Sequence, residues 1–198
     1  VSEWNDAQLL EAEWWGDCAN TYAEETKQLH YAARMGLVSA TTPMGGYYPL
    51  YPLAGASVID IGGGPVSMLL KSIGASDMLV VDPAEYPPWV YERYHEHRIA
   101  TLRMPVESYD CVAHFDEAWI YNCLQHVVDP ERVIDVAKRC AKLIRLFEWI
   151  DIPAYAGHPH ELKAAELDRW LGSGGVVMAV DEQVFGRAHA YSGVFTNE

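Results

Sequence analysis

The sequence predicts an α/β fold: a doubly wound, mostly parallel seven-stranded sheet with a C-terminal antiparallel hairpin and an N-terminal helical cap. Three observations carry this. From Ser57 onward short apolar runs alternate with helical periods, the signature of βαβ units. The first run ends in an acid and a glycine-rich turn, Val58-Ile59-Asp60-Ile61-Gly62-Gly63-Gly64-Pro65. The second, Met78–Val81, is also followed by an acid, Asp82, with Pro83 behind it.

The elements follow in order. Between Asp6 and Gly36 apolar residues (Leu9, Leu10, Ala12, Trp14, Trp15, Ala19, Tyr22, Ala23, Leu29, Tyr31, Ala32, Met35) recur at helical spacing. Gly16-Asp17 divides that stretch into two helices. A Pro-, Gly- and Tyr-rich run, Thr41 to Pro52, reads as a loop. Ser57–Ile61 is the first strand, Val66–Ile73 a helix closed by Gly74, and Met78–Val81 the second strand. Pro88–His97 is a helix with proline in its first turn. Ile99–Met104 and Glu117–Cys123 are the third and fourth strands. Asp129 caps a helix that has Pro130 at its first position and runs to about Cys140. Leu143–Ile150 is the fifth strand, Glu161–Leu171 a helix stopped by Gly172. Val176–Val180 and about Arg187–Phe195 are the closing pair. The expected division is residues 1–56 as helices and loop forming a cap or lid, and 57–198 as the α/β core.

Composition narrows the function. The chain has 198 residues, half of them hydrophobic and 21% charged, an ordinary globular balance able to bury a core without staples. With 14 basic and 28 acidic residues the formal charge is -14. Such a surface repels a phosphate backbone, so nucleic acid is not expected as a partner. The loosely spaced Lys138, Arg139, Lys142 and Arg145 are the longest basic grouping. The cysteines Cys18, Cys111, Cys123 and Cys140 form no CxxC pair and no zinc-finger spacing, and free thiols are the plain expectation. No run has the ~20 apolar residues of a membrane span, and the first residues resemble no secretory signal. A soluble, cytoplasmic protein is expected.

The strand ends carry the chemistry. Gly62, Gly63 and Gly64 allow positive φ and close approach of a ligand to the backbone, at the edge where open α/β sheets bind small molecules. Asp82, about 20 residues beyond Asp60, is placed to accept from a ribose diol. Taken alone, each has a plainer reading: a strand-to-helix junction uses glycine for geometry, and Asp82 could be a solvated turn residue.

At these residues the chain resembles the class I S-adenosylmethionine-dependent methyltransferases, particularly small-molecule enzymes of the ubiquinone-biosynthesis type. Asp60, Gly62 and Gly64 match the family's acid-x-Gly-x-Gly turn, although Val66 stands where many members carry a third glycine. The resemblance makes Asp82 with Pro83 the ribose site. It places Val106, Glu107 and Ser108, within Met104-Pro105-Val106-Glu107-Ser108, beside the adenine. Asn122 falls in Ile120-Tyr121-Asn122-Cys123-Leu124-Gln125-His126-Val127, which with Asp129-Pro130 looks like the family's fourth-strand end. It covers about Ser57 to Phe195 and implies S-adenosyl-L-methionine as cofactor, with methyl transfer to an oxygen or nitrogen of a small molecule or sugar. A nicotinamide-dependent oxidoreductase is the nearest competitor, but Ser67 occupies the last glycine position of GxGxxG. A methyltransferase-like binding module without transfer activity is the other alternative.

Subclasses are separable. Tyr86-Pro87-Pro88-Trp89 imitates the motif of exocyclic-amine methylation of bases, but follows the second strand and lacks the leading polar residue. No cysteine follows a proline, as cytosine ring methylation requires. The expected partner is a small-molecule acceptor, with a homodimer left open. Transfer from an activated sulfonium needs alignment, exclusion of water and, for a hydroxyl, a base. His126 and His158 are the catalytic candidates at the ends of the fourth and fifth strands, with Trp149 beside them. For His126 the alternative is a capping or packing role. His158 and His160 with Glu148 or Asp151 could in principle ligate a divalent ion, but two histidines flanking a proline are a poor ligand signature, and no metal is expected. The aromatic N-terminal helices are read as a lid or as packing on the sheet.

Overall fold

The structure, a computed structural model, describes residues 2–40, 50–181 and 189–197. Most of the expected Thr41–Pro52 loop and the first two residues of the expected last strand lie outside them. Helices α1 (Ser2–Trp15) and α2 (Tyr22–Arg34) come first. The sheet strands are β1 (Ser57–Ile61), β2 (Asp77–Val81), β3 (Ala100–Leu102), β4 (Phe115–Tyr121), β5 (Ala141–Ile150), β6 (Val176–Ala179) and β7 (His189–Thr196). Helices α3 (Pro88–Glu96), α4 (Pro130–Cys140) and α5 (Ala164–Leu171) lie between them.

The seven strands run in the order β3-β2-β1-β4-β5-β7-β6. β1 pairs in parallel with β2 on one side and β4 on the other, so the chain reverses direction across the sheet at β1. That switch point opens a crevice at the C-terminal strand ends. β7 runs antiparallel to both β5 and β6, the expected closing pair.

Successive side chains of a strand point to opposite faces, and two apolar clusters result. Ile59, Ile61, Leu79, Val81, Ala118, Ile120, Ile144 and Leu146 bury against α4 and α5 through Val133, Ile134, Ala137 and Leu167. On the other face Val58, Val80, Trp119, Tyr121, Phe147 and Trp149 meet Tyr31, Ala32 and Met35 of α2 and Val90 and Tyr94 of α3. The Tyr31 ring stacks on Phe147 with centroids 4.4 Å apart. Asp129 caps α4 as expected, its carboxylate accepting from Arg132 N at 3.0 Å, and Gly172 ends α5 at φ 81°.

Two expectations fail. The helix at Val66–Ile73 does not form; two 3-10 turns, Gly64–Val66 and Met68–Lys71, take its place, and Ser72-Ile73 pairs in parallel with Tyr51-Pro52. Ser67 causes the break. Its backbone is extended (φ −46°, ψ 141°) and its hydroxyl accepts from Leu69 N, which stops a helical ladder from forming through it. The thiols are not all free: Cys111 and Cys140, with Cα atoms 5.3 Å apart, are joined as a disulfide, leaving Cys18 and Cys123 buried and free. Sequence spacing is silent on this pair because the loop after β3 folds back onto the end of α4. Among the described residues no helix is long and apolar enough to cross a membrane.

Candidate functional site

The turn after β1 is held from behind. Asp60, wholly buried, accepts from the hydroxyls of Ser67 and Tyr121, the latter at 2.6 Å. Tyr121 OH also receives Met68 N at 3.1 Å. From α3, Tyr94 OH donates to the Gly64 carbonyl at 2.5 Å and receives Ser67 N at 2.9 Å, while Arg93 reaches the Pro65 carbonyl. Gly62 and Gly64 sit at φ 70° and 62°. A Cβ on Gly62 would meet Cys123 Cβ at 2.7 Å, and one on Gly63 would meet the Asp60 carboxylate at the same distance. Asp60 therefore braces the turn and does not line the crevice.

The crevice is a cleft at the C-terminal ends of β1, β2 and β4. Gly62, Gly63, Gly64, Asp82, Pro83, Val106, Glu107, Asn122 and His126 all line it. Ser108 is not among its walls. Among the described residues four carboxylates, Glu11, Glu24, Asp82 and Glu107, face it, and no Lys or Arg lines it. The side-chain direction of Gly64 opens toward Trp15, 3.6 Å from an added Cβ.

Asp82 has three donors: Gly64 N at 3.0 Å, Ala84 N at 2.9 Å and Tyr86 OH at 3.1 Å. Burial pushes its carboxyl up to about 6 against these bonds, and Glu11 adds to the rise. A carboxylate offers about four acceptor positions, so one is left, on the oxygen bonded to Gly64. Glu107 ties two segments, accepting from Val128 N and Asp129 N at 2.9 and 3.2 Å. Asn122 takes the left-handed backbone at φ 52° just after β4, and its Oδ1 accepts from Gln125 Nε2 at 3.0 Å. Burial drives the Cys123 thiol well above its ordinary value, so it is no thiolate nucleophile.

A second cavity, about 460 Å³, adjoins the cleft and shares Glu11, Trp15, Glu24, Asn122 and His126 with it. Trp14, Trp149, Tyr155 and His158 complete much of its wall. His126, Trp149 and His158, singled out from the ends of β4 and β5, thus share one cavity. His126 Nδ1 lies 2.9 Å from the Gly157 carbonyl, and its ring meets His158 edge-on at 4.4 Å. The residues considered for metal have other tasks. His160 Nε2 contacts the Val127 carbonyl, Asp151 pairs with Lys163, and buried Glu148 accepts from Cys123 N and Leu124 N. Among the described residues no group of three or more His, Cys, Asp or Glu is placed to hold a metal ion.

The N-terminal helices, expected as a lid or as packing on the sheet, line the cleft through α1 with residues that apolar spacing does not mark, Trp4, Gln8 and Glu11, beside Trp15. The four stand at helical spacing, while Leu9 and Trp14, counted in the apolar stripe, are 70% and 68% exposed. Tyr86 was passed over inside Tyr86-Pro87-Pro88-Trp89; the signal was its position one short turn past Asp82.

No family model and no curated protein matches the sequence. Solved structures do match in fold. An N1-methyltransferase of 1,6-didemethyltoxoflavin from Burkholderia thailandensis, solved with that compound and S-adenosylhomocysteine, aligns over 100% of this chain and 89% of its own, at 15% identity and TM-score 0.65. The N-methyltransferase NodS from Bradyrhizobium japonicum, with S-adenosylhomocysteine, aligns over 98% of each chain at 15% identity and TM-score 0.63. A methyltransferase of Thermotoga maritima, described as a possible histamine N-methyltransferase, aligns over 99% of this chain and 100% of its own, at 15% identity and TM-score 0.62. Strand order, closing antiparallel pair and near-complete alignment agree: this chain has the Rossmann-like fold of the class I S-adenosylmethionine-dependent methyltransferases.

Proposed function

We propose that the protein is an S-adenosyl-L-methionine-dependent methyltransferase acting on an oxygen or nitrogen of a small molecule. The observation that carries this is the cleft at the β1 switch point, with its glycine turn on one side, Asp82 on another and carboxylates all round. It suits a ligand with hydroxyls to donate and a cationic centre to neutralise, and it disfavours phosphates. Asp82 would accept from the ribose, Glu107 and Val106 would flank the base, and the backbone of Gly62–Gly64 with Asn122 would hold the amino-acid end. When bound, the cofactor supplies an activated methyl group.

The protein's own residues orient the acceptor, exclude water and take up a proton. The aromatic second cavity would receive the acceptor, and the shared wall at His126 is where acceptor and cofactor would meet. His126 is the proposed base, and His158 a second contact to the acceptor. Residues 1–56 serve in this reading as a cap over both spaces. Two readouts test the proposal. Calorimetry should show S-adenosylhomocysteine binding, with a matching rise in melting temperature, since a ligand selective for the native state stabilises it. An acceptor panel should then show formation of S-adenosylhomocysteine from the methyl donor. Binding of NAD with no response to either sulfur compound would overturn the proposal; binding without turnover on any acceptor would leave a binding module.

A further inference from the structure

Three residues of α1 converge on His126 or its neighbourhood. Trp4 Nε1 and Gln8 Nε2 donate to the His126 carbonyl at 3.0 and 3.5 Å. One turn further on, Glu11 Oε2 lies 3.7 Å from His126 Nδ1, and its other oxygen is fixed by Trp15 Nε1 at 2.7 Å. The Glu11 and His126 side chains are 26% and 17% exposed, enough to be partly shielded from water. The Gly157 carbonyl, a pure acceptor 2.9 Å from Nδ1, requires the proton of a neutral ring to sit on Nδ1. Nε2 is then left with its lone pair.

We infer that Glu11 is a positioning residue that works through His126, holding the ring in its Nδ1–H form and stabilising the imidazolium made during transfer. The inference rests on the methyltransferase reading above. A proton leaves the acceptor oxygen or nitrogen for His126 Nε2. The acceptor's electron pair forms the new bond to the methyl carbon, and the pair of the broken carbon–sulfur bond stays on sulfur. The positive charge arriving on the imidazole then faces the Glu11 carboxylate and the Gly157 carbonyl dipole. Other charged groups line the same two spaces or stand beside them. Glu24 and Lys27 of α2, across the shared cavity, pair with each other at 3.4 Å. Glu107 is engaged by Val128 N and Asp129 N, Asp129 caps α4, and Asp82 lines the same cleft, close enough to Glu11 for that carboxylate to raise it. His158 contributes ring contact.

Nitrogen-15 NMR of the histidine rings, recorded against pH with and without S-adenosylhomocysteine, tests this without knowledge of the acceptor. Glu11→Gln suits the purpose because the amide oxygen can still accept from Trp15, while the charge is lost and an N–H donor replaces the oxygen nearest His126 Nδ1. Neutral His126 should show the Nδ1–H tautomer, and Glu11→Gln should shift the balance toward the Nε2–H form. Glu24→Gln should move it far less. An Nε2–H tautomer in the unmodified protein, or a tautomer balance unmoved by Glu11→Gln, would overturn the inference. Absence of any S-adenosylhomocysteine binding by calorimetry would show instead as failure of the methyltransferase reading, and the assigned role would fall with it.

Discussion

Buried Asp60 and Glu148 and half-buried Asp82 stand at or beside the C-terminal ends of β1, β5 and β2, and desolvation pushes all of them up: Asp60 to about 7, Asp82 to about 6 and Glu148 to about 8. In the unfolded chain such groups titrate near 4. Between those limits the folded protein holds protons that the unfolded chain has lost. Stability is then greatest below about pH 4 as far as these groups are concerned, and is lost as pH rises through 6 to 8. The melting temperature should therefore fall from about pH 5 to pH 8 and level off above it. Glu148→Gln, which can still accept from Cys123 N and Leu124 N, should flatten the upper part of that fall. A melting temperature that climbs across this range would refute the burial account. Asp82→Asn acts on binding and on the turn together, because an amide nitrogen would face Gly64 N or Ala84 N, donor against donor. Loss of charge-assisted bonds should weaken S-adenosylhomocysteine by about 1.5–3 kcal/mol, read by calorimetry, with a lowered melting temperature. Tyr86→Phe removes one bond to Asp82 and should cost less on both counts.

At the scale of elements, the turn from Gly62 to Lys71 departs most from what periodicity suggests. Val66, Met68, Leu69 and Leu70 are spaced like a helix, yet Ser67 is committed to Asp60 and to Leu69 N, a competition between side chain and backbone that apolar pattern cannot register. Ser67→Ala should cost about 1–3 kcal/mol in chemical denaturation, the penalty of leaving Asp60 a buried acceptor short. Gly62→Ala combines a positive φ with a collision at Cys123, and should destabilise more than Ser67→Ala; equal or greater stability would contradict the geometry. The face of α1 was misread for a related reason. Its inward side meets the polar turn at Leu124–His126 and the cleft, so Trp4, Gln8 and Glu11 turn in and Leu9 turns out. Apolar spacing finds a helix face only where the partner surface is itself apolar. By contrast α4 packs on the sheet and was legible from Asp129 to Cys140, cap included.

For the whole molecule, the order of motifs along the chain was enough to place the cleft, because a βαβ alternation with right-handed crossovers leaves few arrangements of the strands. The sequence offers the N-terminal helices as a lid or as packing on the sheet, but not which of their residues line the cleft, since α1 and α2 reach it through long-range contacts that leave no local signature. Those two helices differ in what they hold. α2 buries Tyr31, Ala32 and Met35 against β4 and β5, and Gln28 links Val66 to the buried Lys71. α1 buries little beyond Ala7 and works mainly on the cleft wall. The expected boundary between cap and core after residue 56 therefore separates two parts that do not stand equally apart. Removing residues 1–16 should leave a cooperative melt, because the sheet and both apolar clusters keep their main members. The same truncation should weaken S-adenosylhomocysteine at least tenfold, as Trp4, Gln8, Glu11 and Trp15 go with it. Removing residues 1–56 should abolish the cooperative melt, since Tyr31 and Met35, both fully buried, would leave Phe147 and Trp149 facing water. A stable, cooperatively melting 57–198 fragment would show that α2 is an appendage of the core, and a 17–198 fragment binding S-adenosylhomocysteine as tightly as the full chain would show that α1 forms no part of the site.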